Sequence, residues 1–110
     1  MRFISWTEQF TNILRSWRRD NIALDEHMCQ ECQEHNKHMA HEGLKHSPFA
    51  NGGECVAVHS LGWNNEQPYA IFACWKNSFK HAAIMLSPGS RFGIAFLEKD
   101  GMIYSTFRIR

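Results

Sequence analysis

The C-terminal stretch RFGIAFLEKDGMIYSTFRIR constrains the fold more than any other part of the chain. Two runs rich in β-branched and aromatic residues, Arg91 to Leu97 and Met102 to Ile109, flank the dipeptide Asp100-Gly101. This dipeptide is typical of a type I′ turn, which requires positive φ at both central residues. We therefore predict an antiparallel hairpin at the end of the chain.

Helical patterns precede the hairpin. The first helix is predicted from about Thr7 to Arg19, with Thr7 as its N-cap, and its apolar stripe is Trp6, Phe10, Ile13, Leu14 and Trp17. The second is predicted to start after an Asp25 cap and to run to about Glu42, with Gly43 ending it. Its apolar stripe is Met28, Cys32, His35 and Met39.

The middle of the chain is predicted as loop, strand and helix. Residues 44–54 read as a loop and Cys55 to Val58 as a short strand. A third helix is predicted to open at Asn64 to Pro68, with Tyr69, Phe72, Trp75 and Phe79 as its large apolar residues, and a helical turn follows Ser78. Helices followed by a hairpin favour an α+β fold, with helices packed on a small antiparallel sheet. At 110 residues and 44% hydrophobic composition, the chain fits a single domain spanning residues 1–110.

Charge and hydropathy exclude several classes of protein. The formal net charge is +1 without a long run of either sign, so no nucleic-acid partner is expected. We expect no transmembrane segment, because no apolar run approaches about 20 residues. The first residues lack the apolar core of a signal peptide, which predicts a soluble, cytoplasmic protein, or a secreted one if a signal has been removed. Reduced thiols are therefore expected, including Cys29 and Cys32 in their helical C-x-x-C spacing.

The second predicted helix is rich in histidine. His27, Glu31 and His35 are spaced four residues apart, and His38 and His41 are three apart. One interpretation is a metal site on this helix. The other, which we favour, is a solvated polar face with only His35 partly buried, because one helix alone does not close a tetrahedral set of ligands.

Three further segments resemble a known family when they are taken in order. They are LKHS at 44–47, GGEC at 52–55 and WKNSFKHAAIML at 75–86, followed by Gly93-Ile94-Ala95 in the hairpin. Their order and spacing are similar to the CAP superfamily, also called the SCP or pathogenesis-related-1-like domain, in a short bacterial- or phage-type form. The DEHMCQECQEHNKHMA stretch also resembles that family's second helix.

The resemblance implies an α-β-α sandwich with a cleft that gathers two histidines and acidic residues. Carried over by motif, the histidines are His46 and His81 and the first acid is Glu54. Ser78 stands where other members have a second acid, and Cys55 replaces the asparagine of Gly-Glu-Asn. In several members the histidines bind zinc or another divalent cation, so His46 and His81 are the candidate metal ligands.

Three functions remain open, and whether the protein is an enzyme is left undecided. The first is a binding module whose cleft holds a small molecule, lipid or peptide. The second is a metal-assisted, protease-like hydrolase using His46, His81 and Glu54, in which Glu54 is the general base for a metal-bound water. The third is a protein-interaction module with a vestigial cleft.

Each candidate residue also has a simpler interpretation. Glu54 can cap backbone N–H groups where the loop meets the strand. Ser78 fits the N-cap of the short helix that holds His81, and this is favoured over a nucleophilic serine. Cys55 is more readily a small buried strand residue than a thiol nucleophile.

Overall fold

The computed structural model describes residues 1–48, 52–60, 62 and 68–110. Its helices are α1 (Thr7–Arg18), α2 (Glu26–Glu42), α3 (Tyr69–Lys76) and α4 (Phe79–Met85). Its strands are β1 (Arg2–Phe3), β2 (Ala23–Leu24), β3 (Gly53–Ser60), β4 (Arg91–Lys99) and β5 (Met102–Ile109). The fold is α+β, with helices packed on a small sheet, as the sequence predicts.

The predicted hairpin forms the centre of the sheet. Strands β4 and β5 pair antiparallel from Phe92 opposite Ile109 to Lys99 opposite Met102. Asp100 and Gly101 have φ angles of 54° and 78°, so the turn between the strands has the positive φ pair of type I′. The strand order is β1-β4-β5-β3, and β2 adds a short parallel pairing to β4, the one parallel pairing among the described strands.

The helices lie on both faces of this sheet. Phe92, Ile94 and Phe96 of β4 point into a core shared with α1, α3 and α4. The intervening residues of β4 face α2, because successive side chains of a strand point to opposite faces. At Gly93 the approach is so close that a Cβ would lie 2.5 Å from the Met28 backbone carbonyl carbon. The result is a three-layered α-β-α arrangement.

The bounds of the second helix are confirmed. Asp25 is the N-cap, with Oδ1 accepting a hydrogen bond from the Met28 amide at 3.0 Å, and Gly43 ends the helix with φ 94°. The predicted cap of α1 is wrong. Trp6 occupies that position and makes no side-chain cap, and Thr7 is already helical.

Other boundaries differ from the sequence prediction. Strand β3 begins at Gly53 and so includes Glu54, which pairs across the sheet with Arg108 of β5. Phe79 does not belong to α3 but opens α4, where it is 90% exposed. The predicted opening of the third helix at 64–67 lies outside the described residues. Within the described ranges, no helix is both long and apolar enough to cross a membrane.

Candidate functional site

Glu54 is the centre of a buried hydrogen-bond network at the start of β3. Its side chain is 5% exposed. Oε1 accepts from His46 Nδ1 and from the Ser47 amide, each at 2.9 Å. Oε2 accepts from the Ser47 hydroxyl at 2.5 Å and from Arg108 Nε at 3.0 Å. The pairing of β3 with β5 explains the last contact, because Glu54 and Arg108 are cross-strand partners on the face toward α2.

This network keeps Glu54 ionised. Burial raises the pKa of the carboxyl, but the hydrogen bonds from Ser47, His46 and Arg108 outweigh it and leave the pKa below its ordinary value. An ionised carboxylate can only accept hydrogen bonds, so Nδ1 of His46 carries the hydrogen and donates it. In the neutral imidazole, Nε2 of His46 therefore keeps its lone pair.

His81 lies on α4 and is held in a similar way. Its Nδ1 is 2.7 Å from the Ser78 hydroxyl, which can either donate or accept. Its ring is stacked on Trp75, with 6.5 Å between centroids and 24° between planes. Ser78 takes the predicted N-cap position, but its side chain makes no cap to the helix and bonds His81 instead.

Two observations relate His81 to the Glu54 network. Burial lowers the pKa of His81, and repulsion from His46, when that imidazole is protonated, lowers it further. The Cys55 thiol, next to Glu54 in β3, donates to the His81 carbonyl at 3.7 Å. Segments 44–47, 52–55 and 75–86 are therefore neighbours in the fold, and His46 and Glu54 are in direct contact.

Cys55 is a buried strand cysteine. Burial, together with the neighbouring Glu54 charge, raises the pKa of its thiol to about 12. Such a thiol is almost entirely protonated near neutral pH, whereas the thiolate is the nucleophile. The thiol nucleophile considered from the sequence is therefore disfavoured. All four cysteines are free thiols, and Cys32 is also buried.

A cavity opens on the α2 side of His46. It has a volume of about 500 Å³ and is lined by His35, His38, Glu42, Lys45, His46, Ser47 and Pro48. The loop is fixed against α2 by a hydrogen bond of 2.7 Å between His35 Nε2 and the Lys45 carbonyl. His38 is exposed, as expected for a solvated face, but it also borders this cavity beside His46.

Arg108 is the site residue that sequence reasoning missed. It is 7% exposed, and besides Glu54 it donates from Nη2 to the Ser47 hydroxyl at 2.8 Å. The available signal was a single cation, Arg108, inside the otherwise uncharged run MIYSTFRI, since buried charges are normally paired. Among the described residues, no group of three or more His, Cys, Asp or Glu side chains could hold a metal ion.

Comparisons with known proteins support the fold only. No protein-family model and no curated protein sequence matches the chain. Among solved structures, it is similar to an outer surface protein from Borrelia burgdorferi, with a TM-score of 0.70 over 99% of this chain and 98% of that one. The sequence identity is 12%, so this likeness shows a shared fold and leaves the function open.

Proposed function

We propose that the chain is a small CAP-like binding module in which His46 and His81 take a divalent cation and, through it, a small molecule, lipid or peptide. The observation that carries the proposal is the matched anchoring of the two imidazoles. His46 Nδ1 is held by Glu54 and His81 Nδ1 by Ser78, at 2.9 and 2.7 Å. When the Ser78 oxygen accepts from His81 Nδ1, as the Glu54 oxygen does from His46, both Nε2 atoms keep their lone pairs for a ligand. Outer-sphere oxygens of this kind commonly orient metal-binding histidines.

The donor set fits a metal only in part. Neutral imidazole is a good ligand for zinc, but a zinc ion takes about four ligands and His46 and His81 supply two. The remaining positions would be filled by water or by the bound molecule. The cation would supply Lewis-acid attraction for an oxygen or nitrogen of that molecule. We therefore expect weak zinc binding that strengthens when a chelating ligand is present.

The contacts of Glu54 favour a binding role over the hydrolase alternative. A general base works best when its pKa lies near the working pH. The pKa of Glu54 lies below its ordinary value, and both of its oxygens already accept two hydrogen bonds each. We infer that Glu54 orients His46, and that a hydrolase would need another base. The vestigial-cleft alternative predicts no metal binding at all.

Calorimetric zinc titration of protein without a histidine tag tests the proposal. His46→Ala and His81→Ala should each remove most of the binding. Ser78→Ala should weaken it about 10- to 100-fold, because the imidazole loses the hydroxyl that fixes its orientation. Binding should be weaker at about pH 5.5 than at about pH 7.5, since protons compete for the same ring nitrogens.

His41→Ala is the matched control, because this exposed histidine lies near the end of α2, where its ring contacts Lys99. It should bind zinc like the unchanged protein. Retained binding in His46→Ala with loss in His38→Ala would move the cation to α2 and overturn the assignment. No zinc binding in the unchanged protein would also reject it.

For the cellular location of the protein we propose two alternatives, cytoplasmic or secreted. The fold neighbour from Borrelia burgdorferi is an outer surface protein, which supports the secreted alternative only by analogy. Counting thiols in denatured, unreduced protein recovered from its source distinguishes them. Free thiols at all four cysteines favour a reducing compartment.

A further inference from the structure

Helix α4 carries an apolar stripe on its outer side. Phe79 is 90% exposed and Leu86, just after the helix, is 51% exposed. With the exposed Ala83 between them, they follow a spacing of four and three residues, which places them on one face of a helix. The opposite face holds the buried Met85. Helix α4 is thus apolar on the side that faces water as well as on the side that faces the core.

The surroundings of this stripe are basic. Lys76 and Lys80 are exposed at the Phe79 end, and neither has an acidic partner among the described residues. From 68 to 97 the sequence contains Lys76, Lys80 and Arg91 and no Asp or Glu. At the other end, Arg18 donates from Nη1 to the carbonyls of Met85 and Ser87, at 2.7 and 2.9 Å, and its charge is paired with Asp20 at 2.9 Å. The positive charge beside the apolar stripe therefore comes from Lys76 and Lys80 at the Phe79 end.

We propose that this face, made by Lys76, Phe79, Lys80, Ala83 and Leu86, docks on an anionic lipid surface. Phe79 and Leu86 enter the boundary between headgroups and acyl chains, as aromatic and aliphatic residues of interfacial helices do. The two lysines approach the anionic headgroups while their methylene stems lie along the apolar boundary. The positive charge of the face complements the negative surface potential of such a membrane.

The small size of the patch favours a membrane over a protein partner. A stable protein interface needs about 800 Å² from each side. Helix α4 has seven residues, and its stripe consists of three side chains, with Phe79 90% exposed at one end. A patch of this size suits shallow insertion into a fluid lipid surface. The binding should be weak and should decrease with salt, because lysine contacts with headgroups are screened within about 8 Å at physiological ionic strength.

Vesicle sedimentation tests the inference. The unchanged protein should pellet with vesicles of phosphatidylcholine and phosphatidylglycerol in equal parts, and not with phosphatidylcholine alone. Phe79→Ser should weaken binding about tenfold through lost apolar burial. Lys76→Gln and Lys80→Gln should each weaken it about fivefold. These side chains are exposed, so we expect the variants to fold.

Phe3 and Lys37 provide a matched control pair elsewhere on the surface. Phe3 is 61% exposed, and the Lys37 ammonium lies 5.5 Å from its ring centroid. Phe3→Ser and Lys37→Gln should leave vesicle binding unchanged. Equal loss in both pairs, or no binding to the anionic vesicles, would overturn the proposal. The proposal would also be overturned if light scattering showed a dimer that Phe79→Ser dissociates, because this face would then bind a second copy of the chain.

Discussion

The two helical layers on either side of the sheet are built from different chemistry. The layer of α1, α3 and α4 packs aromatic rings against the sheet, with Phe10 about 6.0 Å from four other ring centroids. The layer of α2 buries the apolar side chains of Met28 and Met39 together with polar ones, including Asn36 of the helix and Arg108 of the sheet. Helix α2 contains four glutamates and one lysine, whereas α1, α3 and α4 together contain one glutamate and four lysine or arginine residues.

This difference shows how one sheet serves two purposes. Consecutive residues of β5 point in opposite directions, so Phe107 enters the aromatic core and Arg108 enters the Glu54 network. The aromatic side supplies apolar burial, which is the main favourable contribution to folding. The α2 side accommodates the buried charges of Glu54 and Arg108 because they are paired with each other. The net charge of +1 does not reveal that acidic residues are concentrated on α2 and basic ones on the other helices.

Truncating the aromatic layer should give the largest effect. Phe10 is fully buried among Phe72, Trp75, Phe96 and Phe107. We expect Phe10→Ala to lower the free energy of unfolding by about 3–5 kcal/mol, measured by urea denaturation, because it leaves a cavity. The exposed Phe3→Ala should change it by no more than about 0.5 kcal/mol. Similar losses in both variants would show that the aromatic layer is not the stabilising side.

Breaking the charge network should give the next largest effect. Glu54→Gln removes the carboxylate that lies 3.0 Å from Nε of the buried Arg108, whereas Glu31 stays in place at 3.8 Å. We expect a loss of about 3 kcal/mol, because removing one member of a buried ion pair deprives the other charge of its partner. A change below about 1 kcal/mol in urea denaturation would mean that water solvates this network as it does a surface pair.

The same variant should alter the acid dependence of stability. The pKa of Glu54 is lower in the folded protein than in the unfolded chain. Its contribution is therefore fully present above the ordinary pKa of about 4.3 and is lost as the pH falls through the folded value. Urea denaturation midpoints should drop less steeply in Glu54→Gln over this range. If the midpoints of the unchanged protein and of Glu54→Gln fell in parallel with pH, the acid sensitivity would come from other carboxylates.

The two layers also differ at the start of their first helices, where we expect the smallest effect. Asp25 caps α2 with its side chain, whereas no side chain caps α1. Asp25→Ala should lower the free energy of unfolding by about 1 kcal/mol. Thr7→Ala, at the cap position predicted from the sequence, should change it by no more than about 0.5 kcal/mol. A larger loss in Thr7→Ala would restore the sequence prediction.

Features that depend on local patterns were well predicted. The hairpin turn followed from Asp100-Gly101, and the bounds of α2 followed from Asp25 and Gly43. The two-residue strands β1 and β2 were not predicted, because their pairing with β4 carries no local pattern. Phe79 was predicted to be one of the large apolar residues of the third helix, but α3 ends at Lys76, and Phe79 opens α4 as an exposed side chain.

The membership of the candidate site stays a prediction, of which the structure shows the direct contact between His46 and Glu54. Motif order gave His46, Glu54 and His81, whereas their hydrogen-bond partners depended on how the chain folds. The Ser78 hydroxyl hydrogen-bonds the His81 ring and does not cap α4. The Glu54 carboxylate accepts a hydrogen bond from Arg108, which lies 54 residues later in the chain. The first contact spans three residues, which is a local helical spacing, whereas the second depends on the pairing of β3 with β5.

The sequence by itself determined the element types, the turn chemistry and the α+β class, because these arise from propensities and spacings within about ten residues. The tertiary structure decided which face of the sheet became aromatic and which became charged. It also left the Phe79 side chain exposed to solvent. Burial and pairing are properties of where elements pack, and cross-strand register sets them residue by residue.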